Sequence, residues 1–177
     1  MNNEYGTTQP VNSDGVPADM KTESNDNVVS TLNGLIQTCK DGQDGFKDAA
    51  EGIERSELKT LFYEFSQQRS EFTGVLQELV RSLGGDPEKS GTVTGAIHRG
   101  WIDIKSLVTG KDEEAILNEC ERGEDHAKAA YNDALSLALP SNIADVVGQQ
   151  AHAIVAAHNR IKELRDAEKT KSASTTN

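Results

Sequence analysis

Few side chains in this 177-residue chain suit chemistry, and those that do recur at helical spacing. Glu71, Glu124 and His158 offer two carboxylates and an imidazole, donors that suit iron or manganese. Gln68 stands three residues before Glu71, within reach of one helix face, and Gln150 holds a comparable place later in the chain. Both glutamines fall in otherwise apolar stripes, where facing amides can hydrogen-bond to each other and fix helix register. Cys39 and Cys120 fall in similar stripes and read as small core residues. A second group surrounds the only tryptophan: His98 and Arg99 form a patch for an anion or a protein partner, with Trp101 as its packing anchor. The chain has no glycine-rich phosphate loop, no Cys-x-x-Cys, no nucleophile elbow and no His-Glu-x-x-His, so no catalytic residue is assigned.

Four long segments must position these groups, and all four carry a helical period. The first stripe is Val28, Leu32, Leu35, Cys39, Gly42, Phe46, Ala49 and Ile53. The second is Leu58, Leu61, Phe65, Gln68, Phe72, Val75, Leu79 and Leu83. Ile116, Cys120, Gly123, Ala127, Ala130, Ala134 and Leu137 make the third, and Ile143, Val147, Gln150, Ile154, Ala157, Ile161 and Leu164 the fourth. No segment alternates as a strand would. Ser56 is placed to cap the second helix, and Gly84-Gly85 before Pro87 to end it. Asp112 with Glu113 and Glu114 marks the start of the third, and Pro140-Ser141 separates it from the fourth. Gly34, Gly42, Gly45 and Gly52 weaken the first helix, by up to ~1 kcal/mol each, and leave room for a close neighbour.

Short links around Arg55 and Pro140 favour two antiparallel hairpins. The long connection from Gly84 to Lys111 holds an amphipathic piece with Val93, Ile97, Trp101, Ile104 and Leu107. The expected architecture is an all-α, ferritin-like four-helix bundle of two antiparallel hairpins joined by a long crossover containing a short helix. Ser66–Phe72 (SQQRSEF) is echoed by Gly148–Ile154 (GQQAHAI) at the matching place in the other hairpin, which suggests a pseudo-twofold repeat. The bundle is expected over residues 27–168, between disordered tails at 1–26 and 169–177 that are too polar to offset their ordering entropy.

A formal net charge of −11 argues against nucleic acid and anionic membrane surfaces as partners. No basic start precedes an apolar run, and no apolar stretch reaches membrane-spanning length. Two cysteines do not make a disulfide framework, so reduced thiols in the cytoplasm are expected.

In His98–Trp101 (HRGW), Lys105–Lys111 (KSLVTGK), Glu119–Asp125 (ECERGED) and Ala156–Ile161 (AAHNRI), the chain resembles the bacterial domain-of-unknown-function 2383 family, uncharacterised four-helix-bundle proteins related to ferritins. The resemblance spans roughly Asn27 to Asp166 and implies a fold and a bacterial origin, with no activity to carry over. Ferritin-like di-iron proteins place a Glu on each of two helices and a Glu-x-x-His pair on each of the other two. Here neither pair is present; Gln149-x-x-His152 looks like a remnant, but His152 lies about 200° round the helix from Gln150 and faces outward. Glu124 is expected to pair with a basic group such as Arg69 or Lys128. The leading expectation is a non-catalytic, cytoplasmic, stress-related helical protein, able to self-associate into a homo-oligomer and without cofactor. The alternatives are an iron- or manganese-binding, ferroxidase-like protein with an altered site at Glu71, Glu124 and His158, and a helix-mediated interaction module.

Overall fold

The computed structural model describes residues 23–87, 101, 104 and 112–175. Four helices follow in order: α1 (Asn25–Gly52), α2 (Ser56–Ser82), α3 (Glu113–Leu135) and α4 (Ser141–Thr175). No strand occurs among the described residues. Local chemistry explains most of the ends. Ser24 caps α1, its Oγ accepting from the Asn27 N–H at 3.4 Å, and Asp112 caps α3, its Oδ1 accepting from Ala115 N–H at 3.1 Å. At the end of α2, Gly84 takes φ +75°, and the Gly85 N–H returns to the Val80 carbonyl at 2.9 Å. The start of α2 differs from expectation. Ser56 is already its first helical residue, and Arg55 takes the cap position with no side-chain bond. The link from Ile53 is too short to set Ser56 outside the helix.

The order of packing shows the topology. α1 lies against α2, α3 against α4, α1 against α3, and α2 against α4. One apolar layer joins the start of α1 (Val28, Leu32) to the end of α2 (Leu76, Val80), the end of α3 (Ala134) and the start of α4 (Ile143, Val147). The other joins the end of α1 (Phe46, Ala49, Ile53) to the start of α2 (Leu58, Phe62), the start of α3 (Ile116, Leu117) and Ile161 of α4. Each hairpin is therefore antiparallel. α2 ends at one end of the bundle and α3 begins at the other. This is the expected two-hairpin arrangement.

Of the amphipathic piece between Val93 and Leu107, only Trp101 and Ile104 are described, both packed in the second layer. The indole meets Phe46 edge-on at 4.9 Å between ring centroids. It rests against Gly45 of α1 and Gly123 of α3, where an added Cβ would overlap its ring. Those two glycines form the notch that admits the crossover anchor, which is why helix-weakening residues stand there.

The boundaries extend beyond those expected at both ends. The N-terminal stretch expected as disordered to residue 26 is ordered from Glu23, whose N–H bonds to the Ala138 carbonyl at 3.1 Å and closes one end of the bundle. Residues 1–22 lie outside the described chain. At the other end, 169–175 continue α4 as helix rather than forming a disordered tail. Lys171 pairs with Glu168 at 3.3 Å, and Glu168 also accepts from Arg55 at 3.1 Å, so the polar extension carries its own charge pairs and a tie to the head of α2.

The glycines give opposite predictions. Gly123→Ala should lose about 1–3 kcal/mol by overpacking against Trp101, outweighing its gain in helix propensity. Gly74→Ala, with nothing within 4 Å of an added Cβ, should gain up to ~1 kcal/mol. Urea unfolding of both variants checks this; a stabilised Gly123→Ala would show that the indole does not sit in the notch.

Candidate functional site

Between the two apolar layers the core turns polar. Arg69 of α2 reaches into the bundle beside Gly42 of α1, where an added Cβ would already lie 3.4 Å from Arg69 Cγ. Its Nη2 donates to Glu124 Oε2 of α3 at 2.7 Å, and both side chains are only 1% exposed. Nη1 donates to Gln68 Oε1 at 2.5 Å. The guanidinium carbon lies 5.9 Å from the Phe46 ring centroid and 5.5 Å from that of Phe72, so the charge is flanked by aromatic rings.

Burial pushes the Glu124 carboxyl above the ordinary glutamate range, against the pull of the Arg69 guanidinium. A carboxyl raised in this way keeps in the folded chain a proton that the unfolded chain releases. Its contribution to stability therefore falls as pH rises from the ordinary glutamate range through the folded value. Arg69 Nε adds to the cost, since it is buried and donates to no described atom.

Beside the ion pair runs a hydrogen-bonded chain across all four helices. The Cys39 thiol of α1 lies 3.1 Å from the Tyr131 hydroxyl of α3, which donates to Gln150 Oε1 of α4 at 2.7 Å. Gln150 Nε2 in turn donates to the Phe72 carbonyl of α2 at 3.5 Å. Burial pushes the Cys39 thiol up to about 11 and the Tyr131 hydroxyl and Cys120 thiol well above their ordinary values. At neutral pH both cysteines are protonated and therefore poor nucleophiles.

The structure thus redistributes the residues expected to form a site. Glu124 is central, and its partner is Arg69. Gln150 is buried as expected, but Gln68 is half-buried and bonds to Arg69, so the expected glutamine pair is replaced by two separate contacts. Glu71 is exposed and accepts from Gln67 at 3.1 Å. His158 is buried at the seam of α3 and α4, its Nε2 2.9 Å from Asp125 Oδ1. Glu71, Glu124 and His158 therefore do not assemble as one site; Glu71 is on the wrong side of its helix. The inner face of α2 is Leu58, Phe62, Ser66, Arg69, Thr73, Leu76 and Val80, turned from the expected stripe by about one residue, or 100°. His152 is exposed, as expected. Trp101 proves to be a packing anchor, while His98 and Arg99 lie outside the described residues.

A ferritin-like di-metal centre does not fit these residues. Its place offers a thiol, two amides, a phenol and one carboxylate, and that carboxylate is bound to a guanidinium that brings its own positive charge. Tyr131 escaped the sequence reading because it stands one residue from the chosen stripe. Glu121 and Asp125 escaped because acidic residues on an acidic helix give no signal.

The model of a domain of unknown function (DUF2383) matches residues 27–137. No curated protein matches the sequence. Among solved structures, a two-domain protein from Anabaena variabilis, containing DJ-1/ThiJ/PfpI-like and ferritin-like domains, is similar with a TM-score of 0.69 and 14% identity. The match covers 84% of this chain and 41% of that one, so this chain spans less than half of its neighbour's length. The likeness is one of fold, and it agrees with the two antiparallel hairpins.

The buried pair sets a stability test. Glu124→Leu alone strands the guanidinium and should cost about 3–5 kcal/mol, whereas Arg69→Met combined with Glu124→Leu should fall near or above wild type. Urea unfolding of the two singles and the double measures the coupling; single effects that simply add would contradict the pairing.

Proposed function

Because the chain belongs to the family of the domain of unknown function DUF2383 and carries a ferritin-like fold, we propose that it is a non-catalytic bundle without a di-metal centre that acts by binding other proteins. The observation that carries this reading is Arg69. Its guanidinium occupies the core, where a bundle metal centre needs inward carboxylates, and it pairs with Glu124. The protonated, buried thiols of Cys39 and Cys120 support the same reading, since they leave no activated nucleophile among the described core groups.

Fold alone does not carry an activity. The interaction reading is supported by Tyr63, Val75 and Val155, which leave apolar area exposed on α2 and α4. It is also supported by the Anabaena variabilis protein, in which a ferritin-like domain shares its chain with a domain of another kind. Self-association is part of the proposal. So is a cytoplasmic setting, to which the free cysteines are suited. The net charge of −11 makes nucleic acid a poor partner. No helix among the described residues is long and apolar enough to cross a membrane. A stress-related role belongs to the same proposal by analogy with ferritin relatives.

Aerobic oxidation of ferrous iron tests the non-catalytic part. The purified chain should oxidise iron no faster than buffer; saturable oxidation abolished by Glu124→Gln would refute the reading. Light scattering tests self-association: an assembly larger than one chain should dissociate in a Val75→Glu, Val155→Glu double variant. A monomer at every concentration would remove that part of the proposal.

A further inference from the structure

His158 has left the metal set expected for the core and joined another group of side chains. Glu121 and Asp125 stand one turn apart on α3, hence on one face, and His158 of α4 meets them across the seam. Its Nε2 lies 2.9 Å from Asp125 Oδ1 and 4.0 Å from Glu121 Oε1, and the donor atoms of the three residues all lie within 4.8 Å of one another. His158 is 6% exposed, whereas the Asp125 side chain is 59% exposed, so the group has a buried anchor and an opening to water.

The outer contacts orient this group. His158 Nδ1 lies 3.2 Å from Asn159 Oδ1, and an N–H donated there turns the lone pair of Nε2 toward Asp125. At 2.9 Å, Nε2 and Asp125 Oδ1 share either an N–H hydrogen bond or a cation lying between or beside them. Lys128 now supplies one: its Nζ is 3.4 Å from His158 Nε2 and 3.4 Å from Asp125 Oδ1. On the other side Arg165 holds Glu121 Oε2 by charge at 2.6 Å, off the line of a well-formed hydrogen bond, and leaves Oε1 turned to the imidazole. An imidazole fixed through its second nitrogen and a carboxylate fixed through its second oxygen are how metal-ligating residues are held.

We propose that the α3–α4 seam binds one divalent transition-metal ion through Glu121, Asp125 and His158, with Asn159 and Arg165 positioning two of the ligands. Two carboxylates and an imidazole neutralise a divalent charge, and the affinity order for such donors places zinc above manganese and ferrous iron. Ligands about 2.1 Å from one ion sit roughly 3.4 Å apart, so His158 and Asp125 must open from 2.9 Å while Glu121 draws in from 4.0 Å, and the exposed Asp125 side chain is free to turn. The Lys128 ammonium, with its side chain 28% exposed, moves into water as the ion enters. Glu124 stays bound to Arg69 and is not among the three ligands, so the site adjoins the core pair, on which the His158 charge acts, and is independent of the function proposed above.

Calorimetric titration of the full chain with zinc chloride at pH 7 tests the site. One ion per chain is expected. Asp125→Asn and His158→Ala should each weaken binding at least tenfold, and Lys128→Ala should tighten it by removing the competing ammonium. Circular dichroism establishes that each variant is folded. Asp125→Asn, altering an exposed group, keeps the test decisive if His158→Ala does not fold. Absence of saturable binding to wild type would overturn the proposal, as would stoichiometric binding that survives Asp125→Asn with unchanged affinity.

Discussion

A charge buried at the centre of a helical bundle constrains everything around it. The Arg69–Glu124 pair is 1% exposed on both sides, and two charges so far from water persist only with close geometry and a fitted surround. That surround explains features with no other evident purpose. Gly42 leaves a path for the arginine stem, Phe46 and Phe72 flank the guanidinium, and Gln68 takes its second face. The pair lies between the two apolar layers and ties α2 to α3, members of different hairpins. The Cys39–Tyr131–Gln150 chain joins α1, α3 and α4 at the same level, so all four helices are registered by polar contacts in the middle and by apolar packing at the ends.

The same pair changes the meaning of the fold. In related bundles a metal centre holds inward carboxylates together and balances their charge. Here a side chain supplies the positive charge, permanently and at fixed position. Arg69 is thereby both a structural solution and an obstacle to the chemistry that the fold often supports. Raised thiol and phenol pKa values fit such a centre, since burial outweighs the pull of the Arg69 guanidinium on both groups.

Much of this was legible in the residues. The stripes of the first and fourth helices coincide with their buried faces, because their inward positions are apolar or small: Val28, Leu32, Phe46, Ile143, Val147, Ile154. Trp101 was legible as a packing anchor from its isolation. The second helix misled for a physical reason. Its true inner face carries Ser66, Arg69 and Thr73, whereas the neighbouring stripe carries Phe65, Phe72, Val75 and Leu79 and looks more like a core. The echo between SQQRSEF and GQQAHAI strengthened the error by inviting Gln68 into the place of Gln150. Arginine enters a core only when a partner awaits it, and that partner lies 55 residues away. The continuation of α4 to Thr175 was hidden for a related reason: its support comes from charge pairs and the Arg55 tie, which leave no apolar period to read.

Anomalous X-ray scattering, from crystals of the chain produced with iron and manganese supplied, tests the central claim most directly. Data collected at both metal edges should show no peak between Glu124, Cys39 and Gln150, with electron density for the Arg69 guanidinium against the Glu124 carboxylate. A metal peak bonded to Glu124, with Arg69 displaced from the core, would contradict the account.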